Sequence, residues 1–287
     1  MSSNDKKRRF SFSSYHFKRK AVLYIILTAI ALLTVIPFIW TLSTALKGPN
    51  EAVFSMPPNF IPKDFTLDNF IEVWQTLPIP LYFWNSLIIT FWGMILPILL
   101  ATLAGFPLAR MNFKGKNIIF IIIIATMMVP AEATMIPIYL ILNKIGLLGT
   151  FTGVVLPIAV NAFGIFLMRQ AFLNIPREIE ESAIIDGANV FQIWWKILLP
   201  MVKPMIATLG ILSFIGAWNS FLWPLIVLRD ESMHPLTLGL YKLDGAFEAS
   251  TRAVATGSII ALVPVIIIFL LLQRHFINSA TSGSIKG

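Results

Sequence analysis

The sequence predicts an all-α polytopic membrane protein with six transmembrane helices, a short cytoplasmic helix between two of them, and both termini in the cytoplasm. Hydrophobic residues make up 57% of the 287 residues and charged residues only 13%, with a mean hydropathy of +0.80. A soluble domain carries about twice that share of charge. Six apolar stretches reach about 20 residues, the length that crosses a hydrocarbon core. Lys and Arg are also distributed unevenly among the connecting loops.

The apolar stretches are predicted to be helices, because they are continuous and do not alternate as the strands of a membrane barrel must. A backbone without internal hydrogen bonds is not tolerated in lipid. The predicted spans are Ala21–Thr44, Phe83–Ala109, Ile118–Leu142, Phe151–Phe172, Pro204–Leu228 and Val254–Gln273.

A basic leader, residues 1–20, precedes the first span. The apolar run after it is too long for a signal-peptide core and no small-residue cleavage site follows, so we expect a retained anchor. With the leader in the cytoplasm, 16 of the 22 Lys and Arg residues lie on that side. This bias satisfies the positive-inside rule. The leader cations also suit anionic membrane lipids, and the net charge of +8 requires no nucleic acid.

Two connections on the opposite side are longer than simple turns: Lys47 to Tyr82 and Arg229 to Arg252. Both carry several acidic residues and are candidates for contact with an external protein. Ordinary solvated loops account for them equally well. The chain has no cysteine, so no disulfide holds either loop.

The predicted cytoplasmic loop, about residues 174–203, has some thirty residues, although a short hairpin would be enough to connect the fourth and fifth predicted spans. Pro176 suits the first turn of a helix. Acidic residues follow at the positive end of its dipole: Glu178, Glu180 and Glu181. Gly187 is permissive enough to end or bend this helix. The apolar residues after it predict an interfacial helix: Phe191, Trp194, Trp195 and Leu198.

A spaced pattern runs through this loop: Glu181, Ala183, Gly187, Ile197, Leu199 and Pro200. Its spacing matches Glu-Ala-Ala, three residues, Gly, nine residues, Ile, one residue, Leu-Pro, with Ser182 in place of the middle Ala. The chain therefore resembles the inner-membrane permease subunits of binding-protein-dependent ABC importers. Further runs extend the resemblance beyond the leader and point to the carbohydrate branch, to subunits similar to the maltose permease G subunit: Asn85-Ser86-Leu87, Trp218-Asn219-Ser220-Phe221 and Ile285-Lys286-Gly287.

The resemblance implies a six-span permease domain, residues 21–277, in the plasma (inner) membrane of a prokaryote. It implies half of a translocation pathway for oligosaccharides or related carbohydrates. The implied partners are a second permease in a heterodimer, a dimer of ATP-binding cassette ATPases and an extracytoplasmic solute-binding protein. The polar C-terminal tail, residues 278–287, inserts between the ATPases in similar subunits.

In such systems the signature helix, called the coupling helix, lies in a cleft of the ATPase and transmits its closure to the spans. A short rigid helix in a groove moves as a body, which suits alternating access. The residues expected to carry this coupling are Glu181, Ser182, Ala183, Asp186, Gly187, Ala188, Ile197, Leu199 and Pro200. Glu181 and Asp186 are the candidates for polar contacts with the ATPase.

No catalytic chemistry is expected of this chain. It contains no Gly-x-x-x-x-Gly-Lys-Ser/Thr phosphate loop, so ATP and Mg belong to the partner ATPase and this chain binds no cofactor. The three histidines, His16, His234 and His275, have no ligand spacing, and neither a metal site nor an enzyme is predicted.

Glu132 is a candidate for the substrate pathway, because it is the one acidic residue within the predicted spans. An intramembrane carboxylate normally faces a bundle interior or a wet cavity. A position near the outer end of the third span, hydrated by solvent, is the alternative.

Trp218, Asn219 and Trp223 offer the amide and aromatic surfaces that suit a sugar. On one continuous helix, Asn219 and Trp223 share a face. Packing between helices accounts for such residues as well. Asn85 and Ser86 are predicted to be caps or packing residues and not ligands.

Other functions remain open from sequence alone. The same branch of importers handles polyols and glycerol-phosphate-type solutes. An ion-coupled carrier would show an internal repeat and several buried charges, and neither is evident. A membrane scaffold would need no polar pathway.

Overall fold

The computed structural model describes the backbone of residues 3–245 and 251–282, and the side chains of residues 20–243 and 251–271. Its α-helices are α1 Ser3–Ala45, α2 Asp68–Thr76, α3 Ile79–Arg110, α4 Lys116–Thr126, α5 Ala131–Lys144, α6 Phe151–Ala159, α7 Ala162–Leu173, α8 Glu178–Ile185, α9 Val190–Gln192, α10 Leu199–Met201, α11 Lys203–Trp218, α12 Leu222–Val227, α13 Leu236–Leu240, α14 Lys242–Gly245 and α15 Thr251–Ser282. A π-helix, Ile193–Leu198, joins α9 to α10, and a 3-10 helix, Glu231–Met233, precedes α13. The predicted helical class is confirmed.

Within the described residues, three helical segments are long and apolar enough to cross a membrane: Lys20–Ala45 in α1, Ile79–Arg110 as α3 and Thr251–Leu271 in α15. They agree with the first, second and sixth predicted spans. The number rises to six if each of three bent helix pairs forms one span. Helix α15 continues to Ser282, into the predicted tail, and residues 283–287 lie outside the described part.

Two of the bent pairs cover the predicted third and fourth spans. Helices α4 and α5 meet at an angle of 101°, with Pro130 directly before α5. Helices α6 and α7 are bent by 44°. Asn161 marks this break, because its backbone is extended (φ −114°, ψ 109°) and its side chain accepts a hydrogen bond from the N–H of Gly164 at 2.9 Å, capping α7.

The prediction of one continuous fifth span from Pro204 to Leu228 is wrong. Helix α11 ends at Trp218, and α12 begins at Leu222. Asn219 and Ser220 favour a turn, because their side chains compete with the helical backbone. Asn219 and Trp223 therefore do not share a helical face. The bent pair that includes α11 is instead residues Val190–Met201 with Lys203–Trp218, at 78°.

The chain forms two compact units. The first comprises residues 1–75 and 247–259. Residues 247–250, which include Glu248 of the predicted loop between Arg229 and Arg252, lie outside the described part. Several side-chain contacts hold the loop after α1 in place. Lys47 is fully buried, with its ammonium 4.9 Å from the ring centroid of Trp40. The side-chain amide of Asn69 donates to the carbonyls of Ala45 and Lys47, both at 2.9 Å.

Glu51 holds two stretches of this loop together. Its Oε2 atom accepts hydrogen bonds from the backbone N–H of Lys63 at 2.8 Å and of Asp64 at 3.0 Å. The Asp64 N–H is the largest cause that lowers the pKa of Glu51 below its ordinary value. Arg252 donates to the carbonyls of Pro49, at 3.2 Å, and Glu51. These polar contacts order the loop.

We expect this loop to loosen in acid. Because the pKa of Glu51 is lower in the folded state, its carboxylate stabilises the loop fully above the unfolded pKa, and the stabilisation disappears as pH falls through the folded pKa. Hydrogen-exchange protection of the Lys63 and Asp64 amides, corrected for intrinsic rates, should fall once the pH is below the ordinary pKa of a glutamate carboxyl. In Glu51→Gln the protection should no longer depend on pH in this range, and an unchanged pH step in that variant would refute the assignment.

The second unit comprises residues 76–246 and 260–287 and is built around α3. Helices α7, α11 and α6 pack on α3. Close packing against α7 depends on Gly105: a Cβ at this position would lie 3.0 Å from the backbone N of Arg169 and from the Cβ of Met168. Small residues allow such approach between membrane helices.

Asn85 and Ser86 of α3 fasten the loop between α12 and α13. The side-chain amide of Asn85 donates to the carbonyls of Ser232 at 2.8 Å and His234 at 3.0 Å. The Ser86 hydroxyl accepts from the N–H of Leu236 at 2.7 Å. Both side chains are buried. The prediction that they have a packing role is confirmed.

Asn85→Leu should release this loop. The substitution leaves two carbonyl groups without their donor, at a cost of about 2–4 kcal/mol. Hydrogen exchange of the Leu236 amide should accelerate accordingly. Asn143→Leu, at an exposed position of α5, is the matched control and should leave that amide protected as in the wild type. Equal exchange in the two variants would contradict this role.

Candidate functional site

The loop predicted to carry the coupling residues begins with α8, whose two turns end in a tight cap at Gly187. The N–H of Gly187 donates to the carbonyl of Ile184 at 3.0 Å, and that of Ala188 donates to the carbonyl of Ala183 at 2.9 Å. This pair of bonds is a Schellman motif, which needs a left-handed residue after the helix. Gly187 has φ of +84° and supplies it. The predicted end of the helix at Gly187 is confirmed.

A second helical segment begins at once after this cap. Asn189 accepts from the N–H of Gln192, and the Gln192 side chain accepts from the N–H of Asn189, both at 2.9 Å. This capping box satisfies two N–H groups at the start of α9. The segment continues through the π-helix and α10 to the start of α11. The loop is therefore a rigid helix–turn–helix rather than an irregular connection.

Apolar burial holds the loop against the rest of the second unit. Ala183, Ile193, Trp194 and Leu198 are buried in one cluster with residues of α3 and α7, including Phe172. The interfacial helix predicted after Gly187 is thus divided: Trp194 and Leu198 are buried, while Phe191 and Trp195 are exposed. The extra residue per turn in the π-helix changes which side chains face inward.

An ion pair fixes α8 to the end of α3. The guanidinium Nε of Arg110, the last residue of α3, lies 2.7 Å from Oε1 of Glu180. The two side chains are 4% and 16% exposed. Arg110 also donates to the carbonyl of Ile175 at 2.6 Å, just before α8. The ion pair and this hydrogen bond thus connect the start of α8 and the segment before it to the end of α3.

The surface that α8 presents is formed by its exposed residues. Ile185 is 86% exposed and Ile184 60%. Four of the predicted coupling residues are exposed beside them: Glu181, Ser182, Asp186 and Gly187. Ala183 faces the unit's own core, and Ala188 is half-buried. The result is a small patch with two isoleucines and two carboxylates.

The later signature residues lie on the second segment. Ile197 and Leu199 are half-buried, and Pro200 is exposed. Leu199 and Pro200 line an apolar groove of about 510 Å³ together with residues of α3 and Trp195. The structure therefore brings all nine predicted coupling residues into one connected element.

The predicted pathway residues are located elsewhere in the second unit. Trp218 is buried, its indole N–H donates to the carbonyl of Ala261 at 3.2 Å, and its ring packs against Phe83 with centroids 5.9 Å apart. Trp223 is buried in a cluster with Ile89. These contacts are packing contacts.

Asn219 and Glu132 are the exposed members of the predicted pathway. Asn219 caps the C-terminus of α11, and Glu132 lies in the first turn of α5, directly after the break at Pro130. Only these two side chains of the four are open to a solute. Both belong to breaks in the apolar helices, where backbone polar groups are also accessible.

The two predicted sets are separated along α3. Phe83 and Ile89, which contact Trp218 and Trp223, lie about 20 residues before Phe106 and Ala109, which pack with the loop of residues 174–203. At about 1.5 Å per residue this amounts to about 30 Å, the thickness of a hydrocarbon core.

Sequence reasoning missed the Arg110–Glu180 pair. The available signal was an arginine at the end of an apolar span followed, in a later loop, by a cluster of acidic residues. Their sequence separation of 70 residues gave no indication of contact. The burial of Trp194 was also missed, because a regular helical period does not anticipate a π-helix.

Relatives of the chain cover almost its whole length. It is 35% identical over 260 residues to the arabinooligosaccharides transport system permease protein AraQ of Bacillus subtilis, covering 90% of this chain and 92% of the relative. It is 32% identical over 272 residues to the lactose transport system permease protein LacG of Rhizobium radiobacter, covering 92% and 96%.

A solved structure shows the same fold. The crystal structure of a bacterial ABC transporter involved in the import of the acidic polysaccharide alginate contains a chain that superimposes with a TM-score of 0.79 at 28% identity, covering 96% of this chain and 99% of that one. The model of the family "Binding-protein-dependent transport system inner membrane component" matches residues 100–281, which include the loop of residues 174–203, called the coupling loop below. The chain belongs to this family of inner-membrane transport components.

Proposed function

We propose that this chain is a permease subunit of an ATP-driven importer for oligosaccharides or related carbohydrates. The coupling loop carries the proposal, because it is a rigid helix–turn–helix with an exposed patch and a buried ion pair to α3. The named relatives that transport arabinooligosaccharides and lactose support the substrate class. The chain contributes no catalytic group of its own, and ATP hydrolysis takes place on a partner.

The proposed orientation places the coupling loop and both termini in the cytoplasm. Six spans result if α4 with α5, α6 with α7, and α11 with α12 each cross the membrane once, while residues 190–201 stay in the loop. The bias of Lys and Arg supports this topology. The loop of residues 46–67 and the loop after α12 then face outward, towards a solute-binding protein.

In this arrangement α8 lies in a cleft of an ATPase subunit. Ile184 and Ile185 supply apolar contact, and Glu181 and Asp186 supply the polar contacts. When the nucleotide-bound ATPases close, α8 moves as a rigid body, and the Arg110–Glu180 pair transmits the movement to α3. A second permease forms the other half of the pathway. Asn219 and Glu132, exposed at helix breaks, are the pathway residues that a sugar can reach.

Purification of the chain from its native membrane tests this function. The proposal predicts that a second permease and an ATPase remain bound, and that ATP hydrolysis rises when a sugar and its binding protein are added. A chain that purifies alone, with no sugar-stimulated hydrolysis in any reconstitution, would contradict it. Stimulation by a polyol or a glycerol phosphate instead of a sugar would overturn the substrate class alone.

A further inference from the structure

A polar pocket of about 490 Å³ lies at the start of α4, in the second unit. It is lined by Asn112, Phe113, the first turn of α4 and Arg169. Two cations, Lys116 and Arg169, converge on it from different helices. The side chains lining this pocket include no carboxylate. The pocket is separate from the coupling patch and from the predicted pathway residues.

Both cations are held in place by backbone carbonyls. The Lys116 ammonium donates to the carbonyls of Ala109 at 3.2 Å and Met111 at 2.9 Å. The Nε of Arg169 donates to the carbonyl of Leu108 at 3.1 Å, and its guanidinium lies 3.9 Å from the ring centroid of Phe120. These contacts fix the positions of the charges without neutralising them. An ammonium has three donors and a guanidinium five, so donors remain for a ligand.

Among the described residues, the two cations of this pocket meet the partial negative charge of backbone carbonyls at the end of α3 and no full negative charge. Among the side chains that the structure describes, neither lining cation forms a salt bridge. The N-terminus of α4 adds to the charge, because Gly115 at the N-cap offers no side chain to the N–H groups of Asn117 and Ile118, while that of Lys116 donates to the carbonyl of Phe113 at 3.4 Å. An anion is therefore the ligand that fits.

The position of the pocket indicates the source of the anion. Helix α4 continues from it with large apolar side chains that are exposed: Ile118, Ile119, Ile121 and Ile122. In a membrane protein such a face lies against lipid tails, so the pocket at its polar end lies at the depth of the headgroups. Basic pockets at this depth suit phosphate-bearing lipid headgroups.

We propose that Lys116, Arg169 and the N-terminus of α4 bind the phosphate group of an anionic phospholipid headgroup. The phosphate oxygens accept from the ammonium, the guanidinium and the first-turn N–H groups, and the acyl chains lie along the apolar face of α4. The bound lipid also neutralises charge beside the carbonyl end of α3, which carries Arg110. This site does not depend on the identity of the transported solute.

Lipid retention by the full-length chain, purified with its bound subunits, tests the proposal. The protein is reconstituted in vesicles of equal parts phosphatidylglycerol and phosphatidylcholine, extracted, and its retained lipids are counted by native mass spectrometry. The wild type should be enriched in phosphatidylglycerol. Lys116→Gln and Arg169→Gln should each lower the enrichment about fivefold, as expected for one cation at a membrane surface. Lys144→Gln, at the end of α5, is the matched control and should match the wild type.

Two further measurements separate a lipid site that recognises charge from a structural role of Arg169 and from a site for free phosphate. Arg169→Lys retains the charge, so it should retain most of the enrichment even if the contact with Leu108 is weakened. Loss of enrichment in Arg169→Lys at an unchanged melting temperature would contradict recognition by charge. Equal retention of both lipids by the wild type would overturn the proposal. So would displacement of phosphatidylglycerol by inorganic phosphate, because the site would then bind free phosphate from solution.

Discussion

Arg110→Glu should abolish sugar-stimulated ATP hydrolysis and lower the thermal stability of the complex. The substitution places two carboxylates side by side where the wild type has a pair with side chains only 4% and 16% exposed. Breaking a buried pair in this way costs about 3–5 kcal/mol. It also removes the donor to the carbonyl of Ile175, so the ion pair of α8 with α3 and the hydrogen bond of the preceding segment to α3 are both lost. The measurements are the melting temperature and the ATPase rate with and without sugar.

The charge-exchanged variant Arg110→Glu with Glu180→Arg distinguishes the pair from other effects of Arg110. It restores the attraction, although not the bond to Ile175, and should recover part of the stimulated rate. Glu178→Arg is the matched control, because Glu178 is exposed on the same helix. If the control loses stimulation as completely as Arg110→Glu, the net charge of the loop and not the buried pair is responsible.

Gly187→Trp should leave the chain inserted and assembled in the membrane but reduce sugar-stimulated hydrolysis at least about tenfold, which corresponds to about 1.4 kcal/mol of lost contact. A Cβ at Gly187 would meet no atom within 4 Å, so the indole projects from the surface next to Ile185 and obstructs the ATPase cleft. The rate is measured in reconstituted vesicles with the binding protein and sugar present.

Two smaller substitutions separate the obstruction from backbone strain. Gly187 has φ of +84°, and a residue with an L side chain adopts this conformation at a cost of about 1–2 kcal/mol. Gly187→Ala introduces the strain without bulk, whereas Gly187→Asn tolerates the conformation better. We expect both to retain most of the stimulation. Equal losses for Ala and Trp would mean that the Schellman turn, and not steric access to the patch, governs coupling.

The first, second and sixth predicted spans could be identified from sequence, because continuous apolar runs and the bias of basic residues are strong signals. The predicted first, second and sixth spans agree with α1, α3 and α15 to within a few residues, apart from the long polar extensions of α1 and α15. The breaks were less predictable. The end of α11 at Trp218 depends on Asn219 and Ser220 within apolar sequence, and hydropathy does not register it.

The candidate site was predictable in its local part and not in its tertiary part. Gly187 was identified as the end of α8, because only glycine readily adopts the conformation that a Schellman motif requires. The inward direction of Ala183 and Trp194 depends on packing against α3 and α7, which no local pattern encodes. The contact between Arg110 and Glu180 likewise exists only because two distant helix ends meet.

The central claim is that the exposed patch of α8 contacts an ATPase subunit. The chain has no cysteine, so Ile185→Cys provides one attachment point, at a residue that is 86% exposed, for a photo-crosslinker added before the ATPase. Leu140→Cys, 60% exposed on α5, is the matched control. We predict that Ile185→Cys crosslinks to the ATPase in the assembled complex and that Leu140→Cys does not. Equal yields from both positions, or no ATPase adduct from Ile185→Cys in a complex that still hydrolyses ATP in response to sugar, would contradict the account.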